Sequence, residues 1–60
     1  MAQQFSIVVT AKNEEKNIGE LLDSIYEFVN FEETEVVVVD GGSTDNTINI
    51  ISQYPFVKLV

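Results

Sequence analysis

Apolar residues along this chain fall into short runs whose period changes from one segment to the next. Residues 5–9 (FSIVV) are a brief apolar run rich in β-branched side chains, halted by the polar cluster at residues 10–13; this is the pattern of a buried strand and its exit loop. From Glu14 onward apolar residues recur at three- and four-residue spacing, at Ile18, Leu21, Leu22, Ile25 and Val29, which predicts an amphipathic helix over roughly residues 14–30. Asn13 stands where an N-cap would stand, and Glu14 and Glu15 suit the positive end of the helix dipole. Gly19 interrupts that helix at a cost of ~1 kcal/mol relative to alanine, and its missing side chain suggests close packing on the sheet.

After the acidic connection at residues 31–34, residues 35–39 (EVVVV) form a second strand. It is apolar on both faces, as expected of a central strand covered on both sides in a parallel sheet. Ser43 or Thr44 can cap a second helix over about residues 45–54, with Ile48, Ile51 and Tyr54 on one stripe and Pro55 at its end. Residues 56–60 (FVKLV) begin a third strand. The order β-α-β-α-β belongs to the α/β class, and right-handed crossovers make the three strands parallel with helices packed on the sheet. No repeat, linker or low-complexity segment interrupts it.

Size changes the picture. Sixty residues make one small domain at most, and such a chain buries only about 60% of the surface its unfolded form exposes. Cysteine is absent, so no disulfide or thiolate-bound metal compensates for a thin core. Domains of this class continue with more strands and helices, so residues 1–60 are expected to be a single partial domain, the opening piece of a larger protein. The longest apolar run, residues 36–39, is far too short to span a bilayer, and the start, MAQQFSIVV, lacks the basic and long apolar regions of a secretory signal, which points to the cytoplasm.

Charge excludes some partners. Ten acids against three lysines give a net charge of -7, which disfavours electrostatic binding to nucleic acid or to anionic lipid. Most of the acids lie in or beside the first helix and read as its solvated face.

Two segments can carry chemistry, because ligands in open parallel sheets bind beyond the carboxyl ends of the strands. They are T-A-K-N-E at residues 10–14 and D-G-G-S-T-D-N-T at residues 40–47; if the strands are neighbours, the two loops form one crevice. Asp40, at the tip of the valine strand, can accept hydrogen bonds from a base N–H or a ribose hydroxyl, or bind a metal ion. It can equally start an Asx-type turn, with the glycines shaping the bend. Gly41 and Gly42 permit positive φ and close approach of a flat ligand. Ser43 and Thr44 can cap a helix or bind a ligand, though not easily both, and Asp45 suits the first turn of the second helix. Walker A, dinucleotide-fingerprint and EF-hand patterns are all absent, and there is no histidine for acid/base or zinc chemistry.

The ordered pair S-I-V-V-T-A-K-N-E-E-K-N-I and E-V-V-V-V-D-G-G-S-T-D-N-T resembles the amino-terminal part of family 2 glycosyltransferases with the GT-A fold. The resemblance runs from Phe5 to about Val60. It implies a Rossmann-like parallel sheet that holds the base and ribose of a nucleotide-diphosphate sugar, with Thr10, Ala11, Asn13, Glu14, Asp40 and Gly41 as the nucleotide-binding positions. Ala11 and Lys12 stand where many members have threonine and tyrosine. Gly41 stands where many have a second aspartate that contacts the base. The resemblance also implies Mn²⁺ or Mg²⁺ held by a downstream D-x-D motif, and a downstream general base; neither is present here, so no catalytic or metal residue is assigned. The parent protein would transfer a sugar to an acceptor hydroxyl, and the sixty residues alone would be inactive. Two rivals stand beside this: a non-catalytic βαβ module that self-associates through an exposed sheet edge, and a segment of another nucleotide-binding α/β enzyme such as a nucleotidyltransferase.

Overall fold

The structure, a computed structural model, describes residues 4–60; the first three residues of the MAQQFSIVV stretch lie outside it. The elements follow in the order β1 (Phe5–Ala11), α1 (Ile18–Phe28), β2 (Thr34–Asp40), α2 (Thr47–Ile51) and β3 (Val57–Leu59). The three strands form one parallel sheet in the order β1-β2-β3. The valine strand is therefore central, and β2 pairs with β1 from Phe5↔Thr34 to Ala11↔Asp40 and with β3 from Val36↔Val57 to Val38↔Leu59. Pairing continues past the strand ends. The Asp40 amide donates to the Val60 carbonyl at 3.1 Å, and the Gly41 amide donates to the Ala11 carbonyl at 2.8 Å, so the chain around Asp40 is held from both sides.

Both helices lie on one face of the sheet. Ala11 and Val38 pack there with Ile18, Leu22 and Ile51 in one buried cluster, flanked by Val9, Ile25, Ile50, Tyr54, Phe56 and Val57. The expectation that β2 is covered on both sides is corrected: on the opposite face Val8 and Val39 are exposed, because both β-α-β crossovers cover the same side. At the end of the sheet remote from the two loops, Phe31 stacks at a tilt on Phe56 (centroids 4.9 Å) and on Tyr26 (5.7 Å), which ties the end of α1 to the start of β3 without a covalent staple.

The helices are shorter than their apolar spacing suggests. Helix α1 begins at Ile18, not at Glu14, and Asn13 is not its cap: Asn13 has φ 52, a left-handed conformation outside the extended region an N-cap uses. Residues 14–17 instead make a turn in which the Asn17 and Ile18 amides donate to the Glu14 carbonyl. At the other end Val29 has left the helix for an extended backbone. Helix α2 is a single short segment, and its buried stripe is shifted. Thr47 and Ile51 are buried, Ile50 and Tyr54 pack on the core, and Ile48 is exposed. The inward positions are thus 47, 50, 51 and 54, an i, i+3, i+4, i+7 set whose first member is polar and so invisible to a count of apolar residues. Gly19 packs α1 against α2 and not against the sheet: an added Cβ would lie 3.5 Å from the Tyr54 hydroxyl and 3.7 Å from Ile50. That hydroxyl lies 3.1 Å from the Gly19 carbonyl and 2.9 Å from the Asp23 carboxylate.

Candidate functional site

Because β1 and β2 are adjacent and parallel, the loops that leave their carboxyl ends, residues 12–17 and 41–46, stand side by side. Between them is an open cleft of about 210 Å³ lined by Thr10, Ala11, Lys12, Val39 and Gly41. It opens toward the sheet face that carries no helix, since Thr10 and Val39 are register partners on that face. Complete small-molecule pockets run to roughly 300–1,000 Å³, so this one has room for part of a ligand, such as a flat ring, and not for a whole nucleotide sugar. A second hollow of about 110 Å³ lies along the outer side of β1, lined by residues that include Ala11, Glu14, Asn17 and Leu21.

The sequence-derived positions separate into two groups. Thr10, Ala11 and Gly41 line the cleft, and Glu14 lines the neighbouring hollow. Asn13 and Asp40 instead direct their side chains into the loops. Asp40 Oδ2 accepts from the Gly42 amide at 2.9 Å and from the Ser43 amide at 2.8 Å, while Oδ1 accepts from the Ser43 hydroxyl at 2.5 Å. Asp40 therefore does start an Asx-type turn. A carboxylate offers about four lone-pair sites, so these three bonds leave it about one, on Oδ1. The Ser43 hydroxyl, followed by the Ser43 and Gly42 amides, holds the Asp40 carboxyl below its usual range against an opposing effect of burial.

Gly42 has φ 98, whereas Gly41 does not occupy the left-handed region. Of the two glycines that permit positive φ, Gly42 is the one that adopts it. A Cβ at position 41 would meet Lys12 Cβ at 3.5 Å and the Ala11 carbonyl at 3.6 Å, which is ordinary contact, so Gly41 keeps the cleft wide without being required by the backbone.

Beyond the cleft the loops are stitched together by side chains. The Asn13 amide donates to the Ser43 hydroxyl at 3.0 Å, the Glu14 amide to the Thr47 hydroxyl at 2.8 Å and the Glu15 amide to Asp45 Oδ2 at 3.3 Å. In return the Thr44 amide donates to Asn13 Oδ1 at 2.8 Å. The Thr47 hydroxyl, on a side chain with no exposed surface, donates in turn to Asp45 Oδ1 at 2.5 Å. The Thr47 hydroxyl is the first cause that lowers the Asp45 carboxyl below its usual range; burial opposes it, and the Thr47 and Glu15 amides add to the lowering. Every buried side-chain nitrogen or oxygen among the described residues has a partner. Neither Ser43 nor Thr44 caps α2: the cap position is Asn46, which makes no side-chain cap bond, and the Thr47 amide donates to Asp45 Oδ1 at 2.9 Å.

Lys12 and Val39 as cleft walls, and Asp45 and Thr47 as ties, lie outside the positions assigned from the sequence. The one signal for the ties was two acceptor side chains, Asp45 and Thr47, spaced two residues apart where the second loop enters α2. Among the described residues no group of three or more His, Cys, Asp or Glu side chains could hold a metal, and Asp40 and Asp45 accept from internal donors. No helix among the described residues is long and apolar enough to cross a membrane.

The chain is 47% identical over 53 residues to the poly(ribitol-phosphate) beta-N-acetylglucosaminyltransferase TarS of Staphylococcus aureus. It is 38% identical over 52 residues to the 4,4'-diaponeurosporenoate glycosyltransferase of the same species. These alignments take in 85% and 87% of this chain but only 9% and 13% of the relatives. No solved structure gives a significant match. The sequence profile described as glycosyl transferase family 2 matches residues 6–60, which span both loops and all but the first residue of the sheet, and on that coverage the chain belongs to glycosyl transferase family 2.

Proposed function

We propose that the chain is the nucleotide-binding segment of a larger catalytic domain that moves a sugar from a nucleotide-diphosphate sugar to an acceptor hydroxyl. The observation that carries this reading is the cleft lined by Thr10, Ala11, Lys12, Val39 and Gly41, placed where ligands enter open parallel sheets, beyond the carboxyl ends of adjacent strands. The absence of a side chain at Gly41 leaves room for a base ring beside Lys12. Asp40, with about one lone pair left after its turn bonds, can accept from a ribose hydroxyl, and Glu14 lines the neighbouring hollow. The two relatives are named for unlike acceptors, a poly(ribitol-phosphate) and a diaponeurosporenoate, which favours assigning the shared segment to the donor side of the reaction. The metal ligands and the base that activates the acceptor belong, on this reading, to other parts of the protein, and we place the enzyme in the cytoplasm or on the cytoplasmic face of the membrane.

The test is release of nucleoside diphosphate by the full-length protein supplied with UDP-, GDP- or dTDP-sugars, beside the Gly41→Leu variant, whose side chain fills the cleft. Turnover that depends on one donor and falls at least roughly tenfold in the variant fits a ligand group held there. Turnover unaffected by Gly41→Leu refutes the location, and no turnover of any donor refutes the function. A second reading, self-association, is favoured by the bare sheet face with exposed Val8, Val39 and Val60 and by the outer edge of β1. Sedimentation of the chain decides it, because an association module forms oligomers and ignores nucleotides.

A further inference from the structure

We propose that Asn13, Asp45 and Thr47 are positioning residues of the cleft, which set the separation of its Lys12 and Gly41 walls and so its affinity for the nucleotide. The inference rests on the nucleotide reading above and goes past it, because the three residues are not among those that line the cleft.

Main-chain pairing fixes the two strands only as far as the bond from the Gly41 amide to the Ala11 carbonyl. Beyond that bond no strand pairing holds the loops, and the second contains Gly42, at φ 98 with open space where a Cβ would sit. What joins them is the set of side-chain bonds. Three consecutive amides of the first loop, those of Asn13, Glu14 and Glu15, are received by Ser43 of the second loop, by Thr47 at the start of α2 and by Asp45 of the second loop, and Asn13 Oδ1 receives the Thr44 amide in return. Thr47 is the keystone. It is fully buried, its hydroxyl accepts from Glu14 and donates to Asp45, and Asp45 in turn reaches Glu15. Lys12 and Gly41 lie between the last strand bond and this set of ties, with an added Cβ at position 41 only 3.5 Å from Lys12 Cβ. Their spacing is therefore held at both ends. A site held in its bound geometry before the ligand arrives loses less freedom on binding.

The experiment compares wild type, Thr47→Val, Thr47→Ser and Asn13→Gly in the full-length protein, with UDP, GDP and dTDP as probes in isothermal titration well below the unfolding temperature. Amide hydrogen exchange at Glu14 is measured in parallel. Valine matches threonine in shape and lacks the hydroxyl, serine retains the hydroxyl, and glycine accepts the left-handed backbone at position 13 while removing its acceptor. Thr47→Val is expected to weaken nucleotide binding roughly tenfold, the equivalent of about one hydrogen bond, and to speed exchange at Glu14. Thr47→Ser restores both to within about threefold, and Asn13→Gly weakens binding by about three- to fivefold. Should Thr47→Val fail to fold, Asn13→Gly decides alone, since its bonds lie at the surface. Wild type that binds while the folded variants bind equally well overturns the positioning role and leaves the nucleotide site standing. Wild type that binds none of the three nucleotides overturns the nucleotide reading, and this inference with it.

Discussion

Replacing Thr47 with valine separates hydrogen bonding from packing at the junction of the two loops. The side chain has no exposed surface, so valine fits the same space while the Glu14 amide loses the acceptor that it reaches at 2.8 Å. The variant loses both bonds of the buried Thr47 hydroxyl, at about 1 kcal/mol each, so we expect about 2 kcal/mol. Serine keeps the hydroxyl and removes one buried methyl, which costs about 0.8 kcal/mol. A chain of this size has about 3–9 kcal/mol of stability in total, so the valine variant forfeits a large share, and its thermal midpoint should fall by about 8–16 °C. Urea or thermal unfolding followed by circular dichroism measures both variants. The order is decisive: valine worse than serine supports the hydrogen-bonded junction, and serine worse than valine means that packing alone governs the position and refutes the reasoning. The gap between wild type and the valine variant should also narrow in acid. The Thr47 hydroxyl lowers the Asp45 carboxyl, so its contribution is present above the unfolded value near 3.8 and disappears as the pH falls through the lower folded value.

Other outcomes follow from single contacts. Gly19→Ala places its Cβ at ordinary contact distance from Tyr54 and Ile50 and should raise stability by up to ~1 kcal/mol in urea unfolding. Gly42→Ala should cost about 1 kcal/mol or more because of φ 98, whereas Gly41→Ala should be near neutral; equal losses at the two glycines would contradict the assigned backbone. Ser43→Ala removes the chief cause of the lowered Asp40 carboxyl, so the variant should lose less stability than wild type as pH drops below about 4 in acid titration. Tyr54 is held above its usual value first by its bond to Asp23, then by burial and by the Asp23 charge. Its contribution is complete below pH ~10 and lost above it, and Tyr54→Phe should remove that alkaline loss.

The fold was readable because its signals are local and apolar. Four valines in a row define a central strand whether or not its second face is covered, and the spacing of Ile18, Leu22 and Ile25 defines a buried helix face. The crevice was legible too, since two adjacent parallel strands have nowhere else to place their exit loops. What the residues did not reveal is carried by polar groups distant in sequence. Asn13 and Thr44 are 31 positions apart, and no periodicity marks such a pair. Asn13 looked like a cap because a small amide before a helical pattern usually is one; here its backbone turns left-handed and its side chain serves the other loop. Thr47 escaped notice because a buried threonine interrupts the apolar stripe that would otherwise place Ile50 and Ile51 inward.

The most direct test of the account is an amide NMR titration of the isotopically labelled chain with UDP, GDP and their sugar conjugates. Shifts should be confined to residues 10–14 and 39–44, largest at Ala11, Lys12 and Gly41 and selective for one base. A well-dispersed spectrum that none of these nucleotides disturbs would contradict the account.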